Sequence, residues 1–340
     1  MSGIKYIDKA FVGRTPASVR RGVLPLIRSC KCVRLLFGIL ALLAFSGCGK
    51  EGTGSGRQIR IRLDGGTLST RSESPDETRM SDLNLFAFRT DSELEEHLWI
   101  DARNFRDGGV STLSLPKGLE YTLYACVNFG YEIRGIRTPE DLASYRYYMT
   151  YPDEYSRGIP MTGIAELDGE SDEVTISLER MMAKISLSVD RRALDPDVRF
   201  NVRSVVIGAS PRSAAAFGTS RALGEMDTFS RGFDRTGTQA DGLNRDRGGT
   251  SEEVSVYMLE NLQGAQPEIP SYIEIEAEYD SGTQYTRPGR YLIYRFHLGN
   301  GPDNYDIQRN FHYRFTIRPE GSGLLTQDSW KVDKSALADY

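Results

Sequence analysis

Residues 58–63 read QIRIRL, and this short stretch shows the pattern that decides the fold. Ile59, Ile61 and Leu63 alternate with polar side chains, which is the period of a β-strand with one buried face. The same alternation returns, while helical periodicity is scarce, at residues 83–88, 174–179, 184–189, 273–280 and 311–318. Strands with one apolar and one charged face are typical of antiparallel sheets that pack on one side. The sequence therefore predicts an all-β protein built of antiparallel β-sandwiches.

Two segments depart from the strand pattern. The sequence Thr138-Pro139-Glu140-Asp141 supplies an N-cap, a proline at the first helical position and acidic residues in the first turn, which predicts a helix to about Tyr145. Residues 210–253 are rich in Gly, Arg, Ser and Asp and have no apolar period, so we interpret them as a long surface excursion. One strand ends and another begins at residues 179–184, which predicts a domain boundary there.

The N-terminal part carries an export signal. An apolar run at residues 35–45, LLFGILALLAF, follows a basic segment, and it is shorter than the roughly 20 residues that span a bilayer. Ser46-Gly47-Cys48 follows, so residues 1–47 are predicted to be a lipoprotein signal peptide and Cys48 the lipid attachment site. A Cys that happens to close an ordinary signal peptide or membrane anchor remains the alternative. The prediction then places a flexible tether at residues 48–56 and β-sandwich domains at residues 57–180 and 181–340.

Composition excludes some classes of partner. Without residues 1–47 the chain has 34 basic and 46 acidic residues, a formal charge of −12, which argues against nucleic acid and anionic membrane surfaces. Of the four Cys residues, Cys126 alone would remain as a free thiol beyond Cys48, so no intramolecular disulfide is expected. Cys126 lies in an alternating run and is predicted to be a small core or strand residue.

No catalytic or metal-binding motif stands out. The chain has no G-x-S-x-G, phosphate-loop or H-E-x-x-H sequence. His97, His297 and His312 could converge on zinc, but strand-face or loop positions are the favoured interpretation, with His312 on a charged face. The acidic runs at residues 168–173 and 303–306 have enough oxygens for calcium, yet they lack a known ligand spacing and are interpreted as solvated turns. We therefore predict that the protein is not an enzyme and that it binds no cofactor and no metal.

Several phrases resemble the fimbrillin superfamily of Bacteroidota, and most closely its FimB-type fimbrium-anchoring subunits. They are DLNLFAF (82–88), IPMTG (159–163), VTISLERMMAKI (174–185), YMLENLQG (257–264) and RFHLGNGPDNYDIQRNFHYRFTI (295–317). The resemblance implies two transthyretin-like antiparallel β-sandwich domains in tandem and a structural role in a surface fimbria, without catalysis. It also implies partners among other fimbrial subunits, bound by β-strand exchange, and a location at the outer membrane through the lipid on Cys48.

The resemblance singles out one further residue. Stalk subunits of the family lose their first strand to an arginine-specific protease, and here Arg71 follows the first predicted strand, which makes it a possible processing site. A cut at Arg71 would release the body from Cys48, so an anchor should resist it.

Three functions follow as hypotheses. The leading one is a lipid-anchored structural subunit of a cell-surface fimbria, acting as an anchor or as an accessory or tip component in assembly and adhesion. The second is a surface glycan-binding lipoprotein, which predicts clustered exposed aromatic side chains, although Trp99 and Trp330 are the only Trp residues. The third is a hydrolase whose paired carboxylates meet only in the fold.

Overall fold

A computed structural model of the chain describes residues 56–68, 77–106, 109–155, 157–230, 232–236, 240–280, 291–301, 303–323, 325 and 330–339. Cys48, Arg71, the predicted signal peptide and all of the predicted tether except Gly56 lie outside the described residues. The described residues belong to one compact unit, Thr53–Tyr340. Among them, no helix is both long and apolar enough to cross a membrane.

Strands dominate this unit. The strands of the first part, with one helix, are β1 Arg57–Asp64, β2 Thr67–Leu68, β3 Leu83–Arg89, β4 Leu94–Ile100, β5 Val110–Leu115, β6 Tyr121–Val127, α1 Pro139–Ser144, β7 Arg146–Tyr148, β8 Met161–Leu167, β9 Glu173–Ser177 and β10 Glu179–Arg180. The strands that follow are β11 Met182–Val189, β12 Arg199–Gly208, β13 Ser213–Ala215, β14 Phe233–Thr236, β15 Asp246–Arg247, β16 Thr250–Ser251, β17 Val254–Leu259, β18 Tyr272–Asp280, β19 Leu292–His297, β20 Phe311–Ile317, β21 Trp330–Ala336 and β22 Ala338–Asp339. Short 3-10 helices span Glu225–Asp227 and Asp241–Asn244.

The strands described before residue 181, apart from β2 and β7, form one sandwich. A three-stranded sheet has the order β5-β1-β9, and a five-stranded sheet has the order β10-β8-β6-β3-β4. Inward side chains of both sheets share one buried cluster, which includes Ile59 and Ile61 of β1, Leu85 of β3 and Leu123 of β6. The alternation of apolar residues along these strands therefore produces the core that the sequence predicts.

The strands described after residue 181, apart from β13, β15, β16 and β22, form a second pair of sheets. Their orders are β17-β11-β20-β21 and β14-β12-β18-β19. A second buried cluster joins Ile185 and Leu187 of β11 with Phe200 of β12 and Ile275 of β18. The all-β fold class is confirmed, with one correction: most strand pairs are antiparallel, but β1 with β9 and β11 with β20 are parallel.

The prediction that each strand packs on one side only is wrong for two central strands. On β3 the inward face is buried in the first cluster, and Phe86 and Phe88 on the opposite face belong to the second. On β11 the polar residues Lys184 and Ser186 are also buried. Local alternation shows which residues share a face, but it does not show whether another segment covers that face.

Residues 210–253 are not the surface excursion that their composition suggests. They contain β13, which pairs with β7, and β14, which pairs with β12 in the second sandwich. Ala214, Ala216 and Phe233 are buried in the second cluster. Because these apolar residues are few and irregularly spaced, they leave no periodic signal in the sequence.

The predicted helix and the predicted core thiol are both confirmed. In α1, Thr138 and Asp141 form a capping box in which each side chain bonds the backbone N–H of the other. Cys126 is free and buried in β6, and burial raises the pKa of its thiol, which keeps it protonated and unreactive.

Candidate functional site

The first strand occupies a position from which it could be exchanged. Within its sheet, β1 lies between β5 and β9, running antiparallel to β5 over residues 57–62 and parallel to β9 over residues 60–64. Leu63 N donates to Gly109 O at 2.8 Å on one side, and Leu178 N donates to Asp64 O at 2.7 Å on the other. Removal of β1 would therefore open a groove with unpaired backbone groups along both walls.

The inward face of β1 fills that groove with aliphatic side chains. Ile59 and Ile61 are fully buried and Leu63 is 8% exposed, whereas Gln58, Arg60 and Arg62 face solvent. Burial of such side chains stabilises a fold by about 1.5–3 kcal/mol each. The outward Arg62 pairs with Glu173, but this pair is about half exposed and contributes little.

The groove has a polar end at Arg57. This side chain points inward in the alternation of β1, is only 4% exposed, and its Nη2 donates to the Asp168 carbonyl oxygen at 2.5 Å. The Asp168 carboxylate accepts from the backbone N–H groups of Ser171 and Glu170, and these bonds lower its pKa. Residues 168–172 therefore form the turn before β9 that the sequence analysis favoured over a calcium site.

The chain that follows β1 meets the C-terminal end of the described residues. Thr67 of β2 pairs with Asp339 of β22, and Leu68 pairs with Ala338, in an antiparallel ladder. Arg71, the predicted processing site, belongs to residues 69–76 and lies outside the described residues. A cut after β2 would therefore place β2 and its paired neighbour β22 on separate polypeptides.

Beyond that segment, Glu77 is fixed in a buried polar cluster that the sequence analysis missed. Its Oε1 accepts from Lys184 Nζ at 2.8 Å and from the Tyr257 hydroxyl. Its backbone carbonyl oxygen accepts from Arg180 Nε and Nη2 at 3.2 and 3.1 Å. Lys184 and Glu77 have side-chain exposures of 0% and 3%.

The Glu77 cluster joins the chain after β2 to β11 and β17 of the second sandwich. A sequence signal for it exists in part, because Arg180 and Lys184 interrupt the apolar run RMMAKISL. The acidic partner is 107 residues from Lys184, so sequence proximity could not reveal it.

The His residues do not converge. His97 stacks on Phe86 with ring centroids 4.2 Å apart, His297 packs edge-on against Tyr272, and His312 lies on β20. In the part of the chain that the structure describes, no three His, Cys, Asp or Glu side chains are grouped as metal ligands would be. At the second acidic run, Asp306 accepts from the Gly264 N–H at 2.6 Å and from Asn304, as a turn residue does.

His312 is buried, which corrects its predicted place on a charged face. Its Nε2 lies 2.7 Å from Ser186 Oγ and 3.9 Å from Glu253 Oε1. In a Ser–His–acid triad the acid binds the other ring nitrogen, but His312 Nδ1 has no partner among the described residues. Because Ser186 and His312 are each 1% exposed, this pair has no access to a substrate and is structural.

Comparisons with known proteins identify one matching family model and several solved structures with a similar fold. Residues 256–317 match the family model of a domain of unknown function, DUF4906, and no curated protein matches the chain. Among solved structures, the chain is similar to a candidate cell adhesion protein from Bacteroides eggerthii, with 17% identity, TM-score 0.59 and coverage of 85% of this chain and 98% of that one.

Two named fimbrial proteins from Porphyromonas gingivalis have similar structures. For the fimbrilin FimA of strain W83 the identity is 14% and the TM-score 0.54, with 82% of this chain and 96% of that chain covered. For the tip fimbrial protein Mfa3 the identity is 12% and the TM-score 0.51, with 83% and 99% covered. The chain thus has the fold of the fimbrillin superfamily, as its sequence phrases predict; assignment to the FimB type stays a prediction.

Proposed function

We propose that this chain is a lipid-anchored structural subunit of a cell-surface fimbria, either an anchor or an accessory or tip component, and that it has no catalytic activity. The observation that carries the proposal is the place of β1, a strand with an aliphatic inward face between β5 and β9 in a fimbrilin-like fold. A strand of another subunit could replace it, since backbone hydrogen bonds and alternating side-chain pockets are sufficient for such recognition.

The proposal assigns roles to two residues outside the described part of the chain. Cys48 would carry the lipid that holds the body at the outer membrane. Arg71 would be the place where a protease separates β1 and β2 from the rest. Such a cut would free both the groove and β22, the partner of β2, while Glu77 would hold the new N-terminal segment in place.

The two pairs of sheets support a division into β-sandwich domains at residues 57–180 and 181–340, each of transthyretin-like type. In this proposal the first domain contains the groove, and the second contains β21 and β22, which lie near the C-terminus. Adhesion would follow from assembly into the fimbria.

Mass spectrometry of the protein from intact cells and from sheared fimbriae tests the function. A diacylated Cys48 in the fimbrial fraction is expected for an anchor or an unprocessed accessory subunit, and a new N-terminus at Ser72 for a polymerising subunit. Arg71→Lys is the matched variant, because it keeps the charge but removes the site of an arginine-specific protease.

Two results would contradict the proposal. One is recovery of the protein only with the cell body together with unchanged fimbriae in a deletion strain, which would favour a glycan-binding lipoprotein. The other is saturable binding to a polysaccharide in a glycan panel by a protein that never enters fimbriae.

A further inference from the structure

The inward face of β1 is not uniform along its length. Positions 59, 61 and 63 are aliphatic, but position 57 is an arginine that is 4% exposed. Three similar aliphatic side chains in alternate positions do not define a register, because a strand that slides by two residues still places aliphatic groups in aliphatic pockets. Arg57 is therefore the inward residue of β1 that can distinguish the native register from such a slide.

The surroundings of Arg57 are suited to a basic side chain. The Asp168 carbonyl oxygen accepts from Nη2, and the positive charge of Arg57 acts on the Asp168 carboxylate and on the Tyr121 hydroxyl. The Tyr121 hydroxyl is buried and has no hydrogen-bond partner in the described part of the chain, and the negative charge of Glu95 also acts on it. This end of the groove, formed by Tyr121 and Asp168, thus offers acceptors and negative potential to a donor side chain.

Arg57 does not satisfy this end completely. Its Nε and Nη1 are buried and lack hydrogen-bond partners among the described residues. A buried donor without an acceptor destabilises the strand that carries it. Arg57 therefore has the charge that suits this end of the groove, but its guanidinium is not fully hydrogen-bonded there. A lysine at position 57, with one compact ammonium group, would leave fewer donors unpaired.

We infer that the polar end of the groove sets the register of any strand that occupies the position of β1, by selecting a basic side chain as the first inward residue. The partner segment then has the pattern basic-x-aliphatic-x-aliphatic-x-aliphatic and enters antiparallel to β5. For the chain's own β1 this inference stands alone; for a partner's strand it rests on the proposed function.

A slide by two residues in either direction is unfavourable. If the strand moves so that Ile59 reaches the polar end, the Asp168 carbonyl oxygen and the Tyr121 hydroxyl face a methyl group. If it moves the other way, the guanidinium enters the pocket of Ile59, where a buried charge has no partner. A strand with an aliphatic first residue places an apolar group at the polar end in every register, so these penalties no longer distinguish one register from another.

Cysteine cross-linking across β1 and β5 measures the register. Arg60 faces Thr112 on the exposed side. This is a non-hydrogen-bonded pair, since Leu63 N donates to Gly109 O, so its Cα atoms are close enough for a disulfide. In the uncut chain with Cys48→Ser, the pair Arg60→Cys and Thr112→Cys reports the native register, and Arg62→Cys with Thr112→Cys reports the slide.

With Arg57 present, the native cross-link should exceed the slid one by at least about tenfold, because a hydrogen bond to a charged group changes an equilibrium by that factor. Arg57→Lys should keep this ratio, and Arg57→Met should reduce it to within about threefold of unity. An unchanged ratio in Arg57→Met would overturn the inference, and so would a ratio near unity with Arg57 present.

A second arm uses strands added from outside. A specific protease site placed within residues 69–76 is cut in the folded Thr112→Cys chain, and synthetic peptides of residues 57–64 with Cys at position 58, 60 or 62 are added in mild urea. Peptides that begin with Arg or Lys should cross-link through position 60, and peptides that begin with Met through several positions. If peptides that begin with Met cross-link as selectively through position 60 as those that begin with Arg or Lys, the inference for partner strands is overturned. If no peptide is taken up, strand exchange itself is contradicted. In that case the cross-links in the uncut chain still test the inference for the register of β1.

Discussion

Glu77 and Lys184 form an ion pair at 2.8 Å that is almost completely buried. Removal of one member of such a pair leaves an uncompensated charge and costs about 3–5 kcal/mol. We expect Glu77→Gln to lower the free energy of unfolding by about 3 kcal/mol in urea denaturation. The double variant Glu77→Gln, Lys184→Met should recover most of this loss, because it leaves no buried ammonium group without its carboxylate partner.

The matched control for Glu77 is Glu173→Gln, which removes the exposed partner of Arg62. Its effect should stay below about 1 kcal/mol. Equal losses in Glu77→Gln and Glu173→Gln would show that the buried cluster does not hold the chain after β2.

His312 should make the protein less stable in weak acid. Burial, together with the charges of Arg314 and Lys184, lowers the pKa of His312 to about 3. In the unfolded chain the pKa is about 6.5, so below that pH the unfolded state binds a proton that the native state does not. The contribution of His312 is complete above about pH 6.5 and decreases by about 2 kcal/mol between pH 7 and pH 5.

Urea denaturation at pH 5, 6 and 7 checks this dependence. His312→Gln should make the stability less dependent on pH, since glutamine can still bond Ser186 but does not titrate. His297→Gln is the control, because that residue is exposed, and partial burial of its ring with the nearby charge of Arg295 lowers its pKa to a smaller extent. A pH dependence that is the same in His312→Gln as in the wild type would contradict the assignment.

At the scale of elements, β1 combines a buried and a solvent face. Ile61→Ala should destabilise the protein by about 2–4 kcal/mol through lost burial and a cavity, whereas Arg60→Ala, one residue away, should change stability by less than about 0.5 kcal/mol. Urea denaturation of both variants measures the difference. Similar losses at the two positions would mean that β1 is not seated in the groove by its inward face.

The strands with regular alternation of apolar and polar residues were predictable, because that period can be read directly from the sequence. Alternation places Ile59, Ile61 and Leu63 on one buried face, and the cap at Thr138 gives the start of α1. Alternation along a strand does not show the direction of its neighbours, so the parallel pairing of β1 with β9 could not be predicted.

Burial of polar faces was also outside the reach of local patterns. Lys184 is on a face that alternation labels as solvated, and Glu77, which stabilises it there, is distant in sequence. Of the candidate site, the sequence predicted the first strand and its buried face, but not the polar end at Tyr121 and Asp168. That end forms because β1 brings Arg57 against a turn 111 residues away.

At the scale of the molecule, the two cores are linked through β3. Phe86 and Phe88 extend from a strand of the first sandwich into the cluster that contains Ile185 and Leu187 of the second. We therefore expect thermal unfolding to be a single cooperative transition. Trp99 lies on β4 and Trp330 begins β21, so each tryptophan reports on a different sandwich.

Fluorescence of the single-tryptophan variants Trp99→Phe and Trp330→Phe measures this cooperativity. Their melting temperatures should coincide after correction for any loss of stability seen by circular dichroism. Phe86→Ala, which weakens the contact between the cores, should separate the two transitions. Well-separated transitions with Phe86 intact would show that the sandwiches unfold independently.

The parallel pairing of β1 with β9 has a consequence for any assembly in which a neighbour's strand takes the place of β1. A strand between one antiparallel and one parallel neighbour can enter with only one orientation, because reversal would exchange the two hydrogen-bonding patterns. Each subunit would then have a distinct front and back. A polymer of such subunits would be directional: one end could receive the next subunit, and the other end could not.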